Sequence, residues 1–307
     1  MRIGTFAELI EEARRIGPAR VAVIEAHDPD ALQGLAEAVK LGLVSAILIG
    51  KSDKVTEATG QVGFPLAAAK VLPTANERES IRAAIDLARG REVEMLMKGK
   101  VTTANLIRAV LDRDVGLRIT RRLSQVIVFR IPQIPRLMIM TDGAVNIAPG
   151  VEEKADICRN AIDVAHAIGI FEPKVALLAA LEFVNPAMPA TVDAAALTLM
   201  NRRGQITDAY LEGPIALDVP LSRFAAERKR IESPLVEGTD VFVCPNIEAA
   251  NILYRAITYM AHGESGGLIL GASVPLLVLS RAEPPETKLH SIALGLLLRN
   301  HLGQTAN

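Results

Sequence analysis

Gly266-Gly-Leu-Ile-Leu-Gly271 and Pro275-Leu-Leu-Val-Leu279 are short apolar runs bounded by Gly and Pro, and they precede an apolar-periodic segment from Glu286 to Leu298. Runs of this length and flanking read as two buried strands, or as one strand and its close neighbour. The second run passes into Ser280-Arg281 and then Ala282-Glu283-Pro284-Pro285. Two prolines ahead of a periodic segment suit a helix start, where a missing N–H costs nothing. A small hydroxyl and a permanent cation therefore stand where a core strand meets a helix N-terminus. In open α/β sheets ligands bind at that edge, and helix N-termini favour anions. An arginine at a strand end also has a plain structural use, its stem on apolar surface and its head in water.

Working outward, 307 residues suffice for one large domain or two of ordinary size. Half the residues are apolar and 22% are charged, an ordinary globular composition. The net charge of −1 gives no field for nucleic acid or anionic membrane. Aromatics make up 3% and Trp is absent, so stacking platforms for single strands are not expected. Cys158 and Cys244 lie far apart with no Cys-x-x-Cys, which fits a reduced cytoplasmic protein better than a disulfide framework or a zinc site. No run approaches the 18 apolar residues that a membrane span needs. The N-terminus mixes acids into its apolar pattern, so no signal peptide is expected.

The spacing predicts a helix from Thr5 to Arg15 with Phe6, Leu9, Ile10 and Ala13 on one face. It predicts a strand over Arg20–Glu25, a helix opened by Asp28-Pro29 and running to Leu41, and a strand over Ala46–Gly50. Gly50-Lys51-Ser52 has Ser45 where a phosphate loop needs its first Gly, so that motif fails. A helix over Ser80–Arg89 and a strand over Glu94–Met97 follow. The strand ends in Lys98-Gly99-Lys100-Val101-Thr102-Thr103, a Lys, a Gly and two hydroxyls at a strand-to-helix turn, which makes an anion cradle. Either threonine is equally fitted to be an N-cap.

Arg113, Arg118, Arg121, Arg122, Arg130 and Arg136 form the most basic stretch, with Phe129 its lone aromatic; this is a weak nucleic-acid pattern. Strands are expected over Gln125–Phe129, Leu137–Met140, Val175–Leu181 and Asp240–Cys244. Helices are expected over Glu152–Ile168, Thr191–Asn201 and from Pro245-Asn246 to about His262. The segment Tyr210–Asp218 reads as a polar turn and Ser222–Glu237 as a surface excursion. The alternation implies parallel sheets with helices on both faces, arranged in two α/β lobes. Gly263-Glu-Ser-Gly-Gly267 matches G-x-S-x-G, but helix precedes and strand follows it, the reverse of a nucleophile elbow. The five histidines show no ligand spacing, and no metal is expected.

Five turns together resemble the phosphate acetyl/butyryltransferase family. They are Lys98-Gly99-x-x-Thr102-Thr103, Thr141-Asp142-Gly-Ala-Val-Asn146-Ile-Ala-Pro149, Glu212-Gly213-Pro214-x-Ala-x-Asp218, Pro245-Asn246-x-Glu248-Ala-x-Asn251 and Leu279-Ser280-Arg281. The resemblance runs from about Glu94 to Leu297. Val184-Asn185-Pro186-Ala-Met-Pro189 and Glu286-Thr287-Lys288 look more like the butyryl branch. The resemblance implies a two-lobed fold like isocitrate and isopropylmalate dehydrogenases, with residues 1–136 plus 280–307 as one lobe and 137–279 as the other. It further implies a cleft active site, a homodimer or higher homo-oligomer, and acyl-CoA and phosphate as substrates with no resident cofactor. The implied reaction is acyl-CoA plus phosphate to acyl phosphate plus CoA, through a ternary complex, with butyryl- or acetyl-sized acyl groups.

By the same resemblance Ser280 contacts the thiol, Arg281 stabilises charge, and Lys98, Gly99, Thr102 and Thr103 line the phosphate and acyl end. Arg108 is a contact for a CoA phosphate, and Asp142, Asn146, Asn246, Glu248 and Asn251 are further substrate contacts. One departure stands out. The acetyl branch has an aspartate, taken as the thiol base, seven residues after the serine, and here that residue is Thr287. Glu286, the bound phosphate or Asp142 is then left for the task. Two other readings compete: a regulatory or partner module that binds acyl-CoA without turnover, and a nicotinamide-dependent decarboxylating dehydrogenase. The dehydrogenase needs a metal held by clustered aspartates, and Asp142, Asp193, Asp218 and Asp240 are not spaced for one.

Overall fold

The computed structural model describes residues 2–279 and 283–305. Residues 6–121 carry α1 (Phe6–Ile16), β1 (Ala19–Ile24), α2 (Pro29–Lys40), β2 (Val44–Gly50), α3 (Ser52–Gln61), β3 (Ala69–Pro73), α4 (Glu77–Arg89), β4 (Met95–Lys98) and α5 (Thr103–Val110). Then come β5 (Ser124–Ile131), β6 (Ile134–Thr141), α6 (Val151–Ala167), β7 (Lys174–Leu178), α7 (Pro189–Arg202), β8 (Tyr210–Ile215), α8 (Asp218–Leu221), α9 (Arg223–Lys229), β9 (Val241–Val243) and α10 (Ile247–Arg255). The chain closes with β10 (Glu264–Leu270), β11 (Leu276–Leu277) and α11 (Pro285–Thr305). Among the described residues no helix is long and apolar enough to cross a membrane.

Two compact units result. A terminal unit holds residues 6–121 and 265–307, and a central unit holds residues 1–5 and 122–264. The sequence reading expected residues 1–136 plus 280–307 in one lobe and 137–279 in the other.

In the terminal unit the strand order is β3-β2-β1-β4-β11-β10. Strands β1 to β4 pair in parallel, and β1, apolar except for the exposed Arg20, is buried at its other five positions, as a parallel strand covered on both faces requires. Asp28 caps α2 by accepting from the Asp30 amide at 3.2 Å, with Pro29 at the first helical position. Helix α11 packs on α1 and α2 and buries Ile292, Ala293, Leu294, Leu296, Leu297 and Leu298. Each large aliphatic side chain buried this way is worth about 1.5–3 kcal/mol. His290 of α11 stacks on Phe6 of α1 with ring centroids 4.0 Å apart.

In the central unit the order is β5-β6-β9-β7-β8, parallel from β6 onward. Its core gathers Phe129, Met140, Leu235, Phe242 and Tyr254 around these strands.

The mostly parallel α/β class is as expected, with local corrections. Pairs β5/β6 and β10/β11 are antiparallel. Their links are far shorter than the dozen residues that a parallel crossover needs. Tyr210–Ile215 is a strand rather than a turn; β8 pairs on one side only, with β7, and an edge tolerates its Pro214. The charged stretch from Ser222 contains α9, and its Ala226 and Leu235 reach the core. Strand β3 and helix α3 went unread because β3 is a half-exposed edge and α3 is largely polar.

Candidate functional site

The terminal unit places its functional groups where its topology reverses. The chain steps outward from β1 to β2 to β3, then returns to lay β4 on the other side of β1. This reversal between β1 and β4 is the kind of switch point at which open α/β sheets open a ligand crevice. The Gly99 amide donates to the Ile24 carbonyl and the Lys100 amide to the Glu25 carbonyl, both at 2.9 Å. This approach needs Gly99 to have no side chain: a Cβ would collide with the Glu25 carbonyl oxygen and stand 2.7 Å from that of Ile24.

A shallow pocket with about 10 Å³ of space for water, partly open to solvent, lies at this edge. Asp28, Asp30, Met97, Lys98, Gly99, Leu279 and Lys288 line it. The Lys98 ammonium is half-buried and donates to the Gly99 carbonyl at 3.3 Å. Lys288 is 3% exposed, and burial lowers its pKa from the ordinary lysine value.

Thr102 is the N-cap of α5, accepting from the Asn105 amide at 3.4 Å. Thr103 and Arg108 are exposed on the same helix, where the Arg108 guanidinium donates to the Asn105 side chain at 3.0 Å. Glu286 is exposed at the start of α11 and Thr287 beside it is 5% exposed. Ser280 and Arg281 lie outside the described residues.

The other site residues belong to the central unit. Strands β6 and β9 run in parallel with Thr141 opposite Val243, so the loops that leave them are neighbours. Asp142 is 4% exposed and both of its oxygens serve that loop. Oδ1 accepts from the amides of Gln125, Ala144 and Val145 at 3.1, 3.1 and 3.2 Å. Oδ2 accepts from the Asn146 amide and side chain at 2.9 and 2.6 Å. The Asn146 side chain in turn donates to the Leu123 carbonyl and accepts from Arg122 at 2.7 Å. Asn246 caps α10 through the Ala249 amide at 2.9 Å, and Glu248 is exposed in the first turn of that helix. Asn251 donates to the Gly143 carbonyl at 3.3 Å, which ties α10 to the Asp142 loop.

The structure thus joins Lys98 and Gly99 in one pocket, and joins Asp142, Asn146, Asn246 and Asn251 in one loop cluster. Sequence reasoning missed Lys288 as a pocket residue, because a lysine in a helix reads as surface until its neighbours are known. It also missed Asp28 as a pocket wall. That signal was available, since Asp28 follows β1 at the switch edge.

The remaining chemistry is restrictive. Burial pushes the thiols of Cys158 and Cys244 up to about 12, so neither is a ready nucleophile. Asp193 pairs with Lys154 at 2.7 Å, Asp218 with Lys229 at 2.8 Å and Asp240 with Arg2 at 2.7 Å. Among the described residues no three His, Cys, Asp or Glu side chains cluster as metal ligands would.

Residues 69–296 match the protein family described as phosphate acetyl/butaryl transferase. Over 296 residues the chain is 39% identical to the phosphate butyryltransferase of Clostridium acetobutylicum, a match covering 96% of this chain and 98% of that one. It is 36% identical over 297 residues to the phosphate acetyltransferase of Rickettsia felis, covering 96% and 85%. The crystal structure of a branched-chain phosphotransacylase from Enterococcus faecalis V583 superposes with a TM-score of 0.80 at 29% identity, over 92% of this chain and 99% of that one. The dehydrogenase-like α/β fold expected from the sequence is the one these proteins share.

Proposed function

The chain belongs to the phosphate acetyl/butaryl transferase family, and on that premise we propose that it converts a short acyl-CoA and phosphate into acyl phosphate and CoA by direct exchange in a ternary complex. The observation that carries this reading is a likeness to phosphate acyltransferases over nearly the whole chain. It leaves no support for a non-catalytic acyl-CoA binder. CoA acts as a substrate, with no resident cofactor required.

The reaction makes two demands. Sulfur must leave or attack a carbonyl carbon with its proton managed. Negative charge on phosphate and on the tetrahedral oxygen must meet fixed donors. In our reading Arg281 and Lys98 meet that charge, Ser280 orients the sulfur, and the first turn of α5 at Thr102 and Thr103 offers backbone N–H groups to phosphate. Arg108 and the α10 residues Glu248 and Asn251 remain proposed contacts for the larger part of CoA. Asp142 and Asn146 support the site by shaping the loop, since their polar atoms are already engaged.

Branch likeness favours four-carbon acyl groups. The test is a panel of acyl-CoAs assayed with phosphate, reading thiol release and acyl phosphate. Preference for butyryl over acetyl is expected, and a clear preference for acetyl would end the chain-length proposal while leaving the reaction intact. The partner we propose is a second copy of this chain. Ile252, Tyr259 and Met260 are large apolar side chains exposed on and just after α10, which supports an interface. Light scattering should give the mass of at least two chains; the mass of one would refute the homo-oligomer.

A further inference from the structure

Lys288 is a buried amine that the mechanism above leaves unused. It stands at the start of α11, the end of a helix that disfavours a cation, and it is 3% exposed. Its ammonium donates to the Glu283 carbonyl at 2.7 Å, its one hydrogen-bond acceptor among the described residues. Its side chain shares the terminal-unit pocket with Asp28, Met97, Lys98, Gly99 and Leu279. Leu279 is the last described residue before Ser280. Position 287, where the acetyl branch carries its base, holds a buried threonine whose carbonyl accepts the Ser291 hydroxyl at 2.7 Å. Glu286 is exposed. Of these three consecutive side chains, Lys288 is the one that lines the pocket.

We propose that Lys288 carries the proton that moves between phosphate and the CoA sulfur. The proposal rests on the acyl-transfer reading. Acyl-CoA plus hydrogen phosphate gives acyl phosphate and CoA thiol with no net proton, so one proton must pass from phosphate to sulfur. The Lys288 ammonium gives a proton to the sulfur as the C–S bond breaks and sulfur leaves with the electron pair. The amine so formed takes the proton of the phosphate whose oxygen bonds to the acyl carbon, which restores the ammonium. In reverse the ammonium protonates the departing phosphate oxygen as the acyl C–O bond breaks, and the amine takes the S–H proton as the thiolate forms the C–S bond. The charges facing the amine are Asp28 and Asp30 from α2, Lys98 from β4, and Glu283 and Glu286 from its own segment. Burial outweighs those carboxylates and leaves its pKa below the ordinary lysine value. Such an amine both takes and gives a proton more readily than an exposed one.

The experiment compares kcat, KM for acyl-CoA and the pH profile of wild type, Lys288→Arg, Lys288→Gln and Lys288→Ala, with butyryl-CoA and phosphate. A guanidinium stays protonated throughout the range and cannot cycle, so Lys288→Arg and Lys288→Gln should each lose about a hundredfold or more in kcat, with KM little changed. Small primary amines added to Lys288→Ala should restore part of the rate, and rescue should track amine pKa, which a purely structural lysine would not produce. A Lys288→Arg or Lys288→Gln enzyme at wild-type rate overturns the proposal. If the variants do not fold, the wild-type profile decides. A limb that moves steeply with temperature, as amine ionisations do, supports Lys288, and a carboxylate-like, temperature-insensitive limb overturns it. A wild type without phosphate-dependent turnover takes down the acyl-transfer reading as well, whereas an active wild type with unaffected variants removes only Lys288.

Discussion

Gly34 of α2 faces Lys288 of α11 so closely that a Cβ on the glycine would stand 2.5 Å from the Lys288 Cβ and 2.7 Å from the Pro285 carbonyl oxygen. The start of α11, and with it one wall of the pocket, is set against bare backbone. Alanine gains about 1 kcal/mol over glycine in a helix interior, but overpacking against backbone costs typically 1–3 kcal/mol. Gly34→Ala should therefore lower the thermal midpoint and kcat together. Unfolding curves that overlay those of wild type would show that the contact has room to spare.

Asp142 is expected to act on stability rather than as a thiol base. Replacing it by alanine leaves the amides of Gln125, Ala144, Val145 and Asn146 without their shared acceptor. A buried donor left unpaired costs roughly 1–3 kcal/mol, so Asp142→Ala should lose on the order of 3 kcal/mol in urea unfolding. A loss under about 1 kcal/mol, with kcat abolished in a folded protein, would return Asp142 to the list of bases.

His27 gives the terminal unit a pH dependence. Its side chain is 13% exposed, and burial lowers its pKa from the ordinary value of 6.5, against the opposite pull of Glu25. The unfolded chain therefore binds the proton more readily than the folded one, and stability rises with pH wherever that holds. His27 should cost nothing above about pH 6.5 and should weaken the fold progressively as pH drops from there toward its lowered folded pKa. His27→Gln should flatten the stability curve in that window, as read by unfolding at a series of pH values. An unchanged slope would assign the effect elsewhere.

The sequence was readable where structure is local. Asp28-Pro29 announces the start of α2 because a capping carboxylate and a proline have few other uses together. The apolar run Val21–Ile24 can only be a covered strand. The five turns were readable as a family pattern, and that carried the function. What stayed hidden depends on distant partners. Nothing near Lys288 in sequence says that Gly34 will let α2 close over it. Nothing near Asp142 says that Gln125 on β5 will claim one of its oxygens. The antiparallel pairing of β5 with β6 was legible from the short link between Ile131 and Ile134, and an expectation of uniform alternation overrode it.

The central claim is that this chain turns over acyl-CoA with phosphate and uses Arg281 to meet the charge that grows as it does so. The measurement is kcat for phosphate-dependent CoA release from butyryl-CoA, alongside the Kd for CoA, in wild type and Arg281→Ala. Interactions stronger in the transition state than in the ground state show in kcat, and losing one such donor typically costs about 3 kcal/mol, roughly a hundredfold or more in rate. The account predicts a wild type that forms CoA and acyl phosphate in equal amounts, and an Arg281→Ala protein that binds CoA nearly as well but turns over at least about a hundredfold more slowly. A wild type that binds acyl-CoA without forming acyl phosphate, or an Arg281→Ala enzyme with near-normal kcat, would contradict it.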